Sequence, residues 1–171
     1  PVTHRLTKAS GTTRPVVDVT ARPATLAVTP YPGSGRALAS SRVMVRDEFS
    51  VDPSRLGPAE TFTRRLILTA DNSMAHLLPP RPLIREPWLI SFAAPEIRET
   101  RLTAQGPVAV VIWEWSLRPH TGEIGSLMPL QFPWFNTQVR EMRGAITLPV
   151  EIGLAGSGDN IGGVANASRR F

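Results

Sequence analysis

The side chains whose types could support catalysis or metal binding do not fall at the spacings such chemistry needs. His4, His76 and His120 are the whole histidine supply. Metal sites want clustered ligands at close spacing, and only Glu123, near His120, gives any of the three a neighbour in register. His120 lies in "RPHTGE", where Pro119 and Gly122 supply turn geometry, so a solvated turn histidine is expected. His76, in "MAHLLPP", reads as a surface or half-buried residue of a short turn. Carboxylate pairs for acid–base work could be drawn from Glu96 and Glu99, or from Asp47 and Glu48. Nothing in their positions predicts burial or a shifted pKa, so solvated charges are expected. Gly156-Ser157-Gly158 does not supply a Gly-x-Ser-x-Gly nucleophile elbow. Together with Gly162-Gly163 it also fails as a phosphate loop, which needs a strand entering, a helix leaving and a Gly-Lys-Ser/Thr. The sequence therefore assigns no catalytic, cofactor-binding or metal-ligating residue, and a protein that is not an enzyme is expected.

Aromatic residues are the stronger candidates for recognition. Trp113 and Trp115 stand two apart in one predicted strand and so share a face with Val111 and Leu117, opposite Glu114 and Ser116. That pattern predicts a tryptophan face turned to the core. In "LMPLQFPWFNTQ", a strand over 130–135 puts Leu130, Phe132 and Trp134 on one face and Gln131, Pro133 and Phe135 on the other. Trp134 is then buried. Pro133 cannot donate to a ladder, which predicts a strand at an edge or bulged there. Pro133 and Phe135, with Trp88 at the start of another apolar run, are the candidate partner surface.

The elements that must position these residues are short. Seventeen prolines in 171 residues are about twice the usual ~5% share, which forbids long helices and suits a many-stranded protein with ordered turns. The 42% hydrophobic content argues against wholesale disorder. The net charge of +5 is carried almost wholly by scattered arginines, Lys8 being the single lysine. A nucleic-acid binder concentrates such charge on one face or in a run, so no nucleic-acid partner is expected. No cysteine is present, which excludes disulfides and thiolate chemistry. No apolar run reaches the ~18 residues of a membrane span and no signal segment opens the chain, so a soluble piece of something longer is expected.

Residues 1–40 read as a polar lead-in, one or two strands that end a preceding β domain, and a Pro/Gly linker. Regular alternation begins at Arg42 in "RVMVRDEFSV" and continues in "TFTRRLILTA", with Leu66 and Leu68 inward. "MAHLL" allows one helical turn before Pro79-Pro80. "WLISFAA" and "EIRETRL" are separated by Pro95, and "VAVVIWEWSL" is the strongest strand. "EIGSLMPLQFPWF" and "AITLPVEI" complete the pattern. About seven strands over 41–152 at roughly ten-residue spacing describe an all-β, immunoglobulin-like antiparallel sandwich. From Gly153 the glycine-rich sequence predicts a flexible tail.

The order of these pieces from about Ala24 to Ile152 resembles the periplasmic domains of BatD, the bacterial aerotolerance-operon or oxygen tolerance family. "ATLAVTPYP" is similar to that family's entry strand and Val-x-Pro-x-Pro linker. "RVMVRDEFSVDPSRLGPAETFTRRLILTADN" resembles its next segment, "MAHLLPP" its short turn ending in Leu-Pro, and "LRPHTGEIGSLMPLQFPWFNTQ" its turn, proline-bearing strand and aromatic pair. One departure is Gly57-Pro58-Ala59-Glu60 where the family has Gly-Glu or Gly-Gln. The resemblance implies a non-enzymatic interaction or scaffolding module in the periplasmic part of an inner-membrane-anchored protein linked to oxygen or envelope stress. It implies as partners other envelope proteins, among them von Willebrand A-domain membrane proteins encoded with MoxR-type ATPases. It implies no cofactor and no catalytic residue. The four tryptophans motivate a rival reading, a sandwich that binds carbohydrate or another envelope polymer.

Overall fold

The computed structural model describes residues 3–8, 11–28, 31, 37–120 and 125–153. Glu123 and the glycine clusters at 156–158 and 162–163 lie outside these residues, as does the tail expectation from 154 on. The chain divides into two units, 1–35 and 36–171.

The first unit is a hairpin of β1 (Thr3–Thr7) and β2 (Val16–Thr20), in antiparallel register from Thr3 opposite Thr20 to Thr7 opposite Val16. Residues 3–7, expected as lead-in, form a strand because polar cross-strand pairs support it. Thr3 and Thr20 hydroxyls lie 3.1 Å apart, and Arg5 donates to Asp18 at 3.0 Å. Both strands are exposed throughout, so the hairpin has no buried face of its own.

The second unit is an all-β sandwich. Its larger sheet runs β4 (Arg42–Phe49), β5 (Phe62–Asp71), β8 (Gly106–Pro119), with β6 (Leu89–Ala93) and β7 (Ile97–Thr103) sharing the far edge of β8. Proline explains the shared edge. Pro95 interrupts what would be one strand, β6 and β7 each pair with half of β8, and Ala94 bridges the break by donating to Glu114 O at 2.9 Å. Facing it, β10 (Gln131–Asn136) lies between β11 (Glu141–Ile146) and β3 (Leu38–Ser40), while β9 (Gly125–Leu127) pairs with β12 (Val150–Ile152). The strands β3, β9 and β12 of three residues each take the count past the expected seven, since runs this short leave no alternation to read. Leu38–Ser40, in the segment expected as linker, pairs in parallel with 134–136, and its Leu38 and Ser40 are buried.

Alternation sets which faces meet. On β5, Phe62, Arg64, Leu66, Leu68 and Ala70 face inward, and on β8 so do Val111, Trp113, Trp115 and Leu117. Phe132 and Trp134 come from the opposite sheet. The rings of Trp113 and Phe132 stack at 5.7 Å between centroids and 14° between planes, which joins the two sheets. Burial of these side chains is the main stabilising term, at roughly 25 cal/mol per Å² of apolar surface.

Trp113 also reaches a polar clip at the rim. Its Nε1 donates to Glu96 at 2.9 Å, and Glu96 accepts from Arg98 at 2.7 Å. Arg98 in turn donates to the carbonyls of Ala75, Leu78 and Pro79, which pins the 3-10 turn Ala75–Leu77. Glu96 is exposed, as expected, yet its carboxyl does not keep the ordinary pKa expected of a solvated charge. The bonds from Arg98 and then Trp113 instead hold its carboxyl below the ordinary glutamate range.

Leu66→Ala should cost about 3 kcal/mol and Ile67→Ala, one residue on and half-buried, about 1 kcal/mol, read by urea unfolding; equal losses would mean that the register of β5 is wrong. Because folding depresses the Glu96 pKa, its contribution is complete above the ordinary glutamate value of about 4.3 and is lost as pH falls through the folded value. Glu96→Gln should therefore flatten part of the acid limb of a stability–pH profile, and an unchanged limb would exclude that role.

Candidate functional site

The alternation of "RVMVRDEF" in β4 directs Val43, Val45, Asp47 and Phe49 to the inner side of the sheet. An inward aspartate needs a partner. Arg64 on β5, only 1% exposed, supplies it by donating from Nε to Asp47 Oδ1 at 3.0 Å and from Nη2 to Oδ2 at 2.6 Å. This two-point pairing satisfies both carboxylate oxygens and fixes the guanidinium plane. The guanidinium also lies 5.7 Å from the Phe49 ring centroid, and Phe49 packs on Phe62 at 6.3 Å. The ion pair is thus sealed on its core side.

On its outer side a cleft of about 540 Å³ opens. Val45, Asp47 and Phe49 form one wall, and residues 146–151 form the other. The second wall is held at both ends by backbone. Thr147 N donates to Leu130 O at 3.0 Å and Thr147 Oγ1 accepts from Leu130 N at 2.9 Å. Beyond β12, Gly153 N donates to Pro53 O at 3.0 Å and Leu56 N to Gly153 O at 2.9 Å. A Cβ at position 153 would come within 2.5 Å of Ser54 O, so glycine is required for this approach.

Asp52 sits at the mouth of the cleft and caps the 3-10 turn Pro53–Arg55. Its Oδ1 accepts from Ser54 Oγ at 2.7 Å and Ser54 N at 3.0 Å, and these bonds lower its pKa. Glu151 lies on the opposite wall. Neither carboxylate forms an ion pair among the described residues. Arg46, at the rim, is held by Glu48 at 2.6 Å. The cleft therefore offers two acidic groups beside the apolar side chains of Ile146, Leu148 and Pro149 in a chain whose net charge is +5.

The backbone of β4 completes the site. Ser50 N donates to Thr63 O at 2.9 Å, and alternation from that pair turns the amides of Arg46 and Glu48 toward β5. The N–H and C=O groups of Val45, Asp47 and Phe49 point the other way, where no described strand pairs with β4. An open strand edge thus runs along the rim of the cleft.

The three residues singled out in the sequence are not brought together. Pro133 and Phe135 share the outer face of β10, Pro133 exposed and Phe135 half-buried opposite Met142. Trp88 packs instead against the core cluster and lies over Gly125, where a Cβ would meet its ring at 2.5 Å. The edge strand or bulge expected at Pro133 is not found, since β10 is the central strand of its sheet and pairs with β11 in unbroken register. Thr147 N to Leu130 O sets the alternation, so even-numbered residues of β10 bond to β11 and the Pro133 nitrogen faces the other side. There β3 begins only opposite Trp134, so no donor is needed at 133 and the strand carries the proline without a bulge.

His4, His76 and His120 are exposed, and no three His, Cys, Asp or Glu side chains of the described residues are grouped as a metal site. Asp47, expected as a solvated charge, is instead largely buried against Arg64, and Arg64, Asp52 and Glu151 are site residues that the sequence reading did not single out. Arg64 shares the parity of inward Leu66 and Leu68, and Asp47 that of Val43 and Val45, so two opposite charges at inward positions were the available signal. Comparison with protein-family models, curated proteins and solved structures finds no match.

Removing one member of the buried pair should be more damaging than removing both. Asp47→Ala strands the Arg64 charge and should cost about 3–5 kcal/mol, whereas Arg64→Met with Asp47→Leu should cost less, both read by denaturant unfolding. Equal losses would show that the pair is not a closed unit.

Proposed function

We propose that this chain is a non-enzymatic protein-interaction module, part of the periplasmic portion of an inner-membrane-anchored, BatD-like protein that scaffolds envelope components in oxygen or envelope stress. The observation that carries the interaction reading is the unpaired edge of β4 beside an acidic and apolar cleft. Main-chain groups left open along a rim are a template for pairing with another chain. The BatD assignment draws its support from the ordered resemblance over Ala24 to Ile152 and from an all-β sandwich of the kind that resemblance implies. On this reading its partners are other envelope proteins, von Willebrand A-domain membrane proteins encoded beside MoxR-type ATPases among them.

The polymer-binding reading took its motive from the tryptophans. Trp113, Trp115 and Trp134 are at most 5% exposed and Trp88 is packed over Gly125, which leaves no coplanar exposed set of tryptophans among the described residues. Interaction through the sheet edge is therefore the better supported of the two.

Affinity capture of the intact envelope protein under gentle solubilisation is expected to enrich its von Willebrand A-domain neighbours over a bead control. No enrichment would overturn the proposal. A glycan titration that changes tryptophan fluorescence at micromolar ligand would favour the polymer reading instead.

A further inference from the structure

We infer that the β4 edge and its cleft bind an extended segment of a partner protein as an added strand, and that this segment carries arginine or lysine at alternate positions. The inference deepens the interaction reading and rests on it.

Three independent features define the occupant. The outward N–H and C=O groups of Val45, Asp47 and Phe49 have no hydrogen-bond partner among the described residues, so they can form a ladder only with a chain in extended conformation. The cleft beneath them, about 540 Å³, lies within the range of built ligand sites and can take the side chains that a strand directs to one face. Its charge then selects among extended segments. Asp47 is fully engaged by Arg64, but Asp52 and Glu151 have acceptor capacity and no ion pair. Cationic side chains on the inserted face would meet Asp52 and Glu151, and their aliphatic stems would lie along Ile146, Leu148 and Pro149.

The far edge of the same sheet fits a strand less well. The edge formed by β6 and β7 is broken at Pro95, and its Arg81 and Arg98 guanidinium groups are consumed by backbone carbonyls. The edge of β4 is continuous over its eight residues. Its inward Asp47 disfavours indiscriminate pairing with apolar edges, a role that inward charges serve on edge strands.

The test titrates the whole 171-residue chain, isotopically labelled, with an acetylated and amidated eight-residue peptide alternating arginine with valine and threonine. A second peptide replaces arginine by glutamate, and a third is N-methylated on its pairing edge. The arginine peptide should shift the amide resonances of Val45, Asp47 and Phe49, while the glutamate and N-methylated peptides should bind at least about tenfold more weakly. Asp52→Asn combined with Glu151→Gln keeps an acceptor at the turn cap and should weaken the arginine peptide about fivefold, while the amide spectrum of the free chain stays that of the folded protein. Shifts confined to the Pro133–Phe135 face would overturn this site while leaving the interaction reading intact. Equal binding of all three peptides, or none at millimolar concentration, would overturn the strand-addition mode. Dimerisation of the chain through β4 would overturn the hetero-partner. Successful capture of envelope partners beside a silent peptide titration would reject this inference alone, and failure of capture as well would reject both.

Discussion

Trp113 couples the parts of the second unit that have no covalent reason to stay together. Its ring closes the gap between the sheets by stacking on Phe132, and its indole N–H reaches outward to Glu96. Through Glu96 it orients Arg98, and Arg98 holds the turn at 75–79 by three carbonyls. A large aromatic side chain with one polar tip suits this position, because the ring can be wholly buried while its donor still finds an acceptor. A phenylalanine here would keep the stack and release the clip.

With that frame fixed, the architecture leaves β4 in a peculiar position. It pairs with β5 over its whole length, yet its other side looks onto a cleft whose far wall is stapled to Leu130 and to the turn at Pro53. The Arg64–Asp47 pair fills the inner end of the space with a satisfied polar unit instead of apolar side chains. Replacing such a unit by hydrophobic residues is often neutral or stabilising, so its presence is weak evidence for stability. It keeps the inward side of an edge strand polar, and inward charges on edge strands disfavour pairing with apolar edges.

Much of the fold was legible from parity alone. The inward sets Leu66 and Leu68, Trp113 and Trp115, and Phe132 and Trp134 all follow from a period of two, and each is buried. Pro95 was legible as a break, because proline cannot serve a ladder, although its consequence of two strands sharing β8 required the partner strand. The site was far less legible. Asp47 bonds Arg64 on a diagonal that only the β4–β5 register defines, and the cleft joins β4 to residues 146–151, which are remote in sequence. Trp88 reads from sequence as part of a partner surface, because the glycine it covers, Gly125, has no local signature that ties it to a tryptophan so far upstream. The parallel partner β3 is three residues long, too short for any period.

The openness of the β4 edge is accessible to amide hydrogen exchange on the free chain. Arg46 and Glu48, bonded to β5, should exchange slowly, while Val45, Asp47 and Phe49 should exchange at rates close to those of an unprotected backbone, giving alternation along one strand. Uniform protection from Val45 to Phe49 would mean that the edge is already covered, and would contradict the account of β4 as an open docking strand.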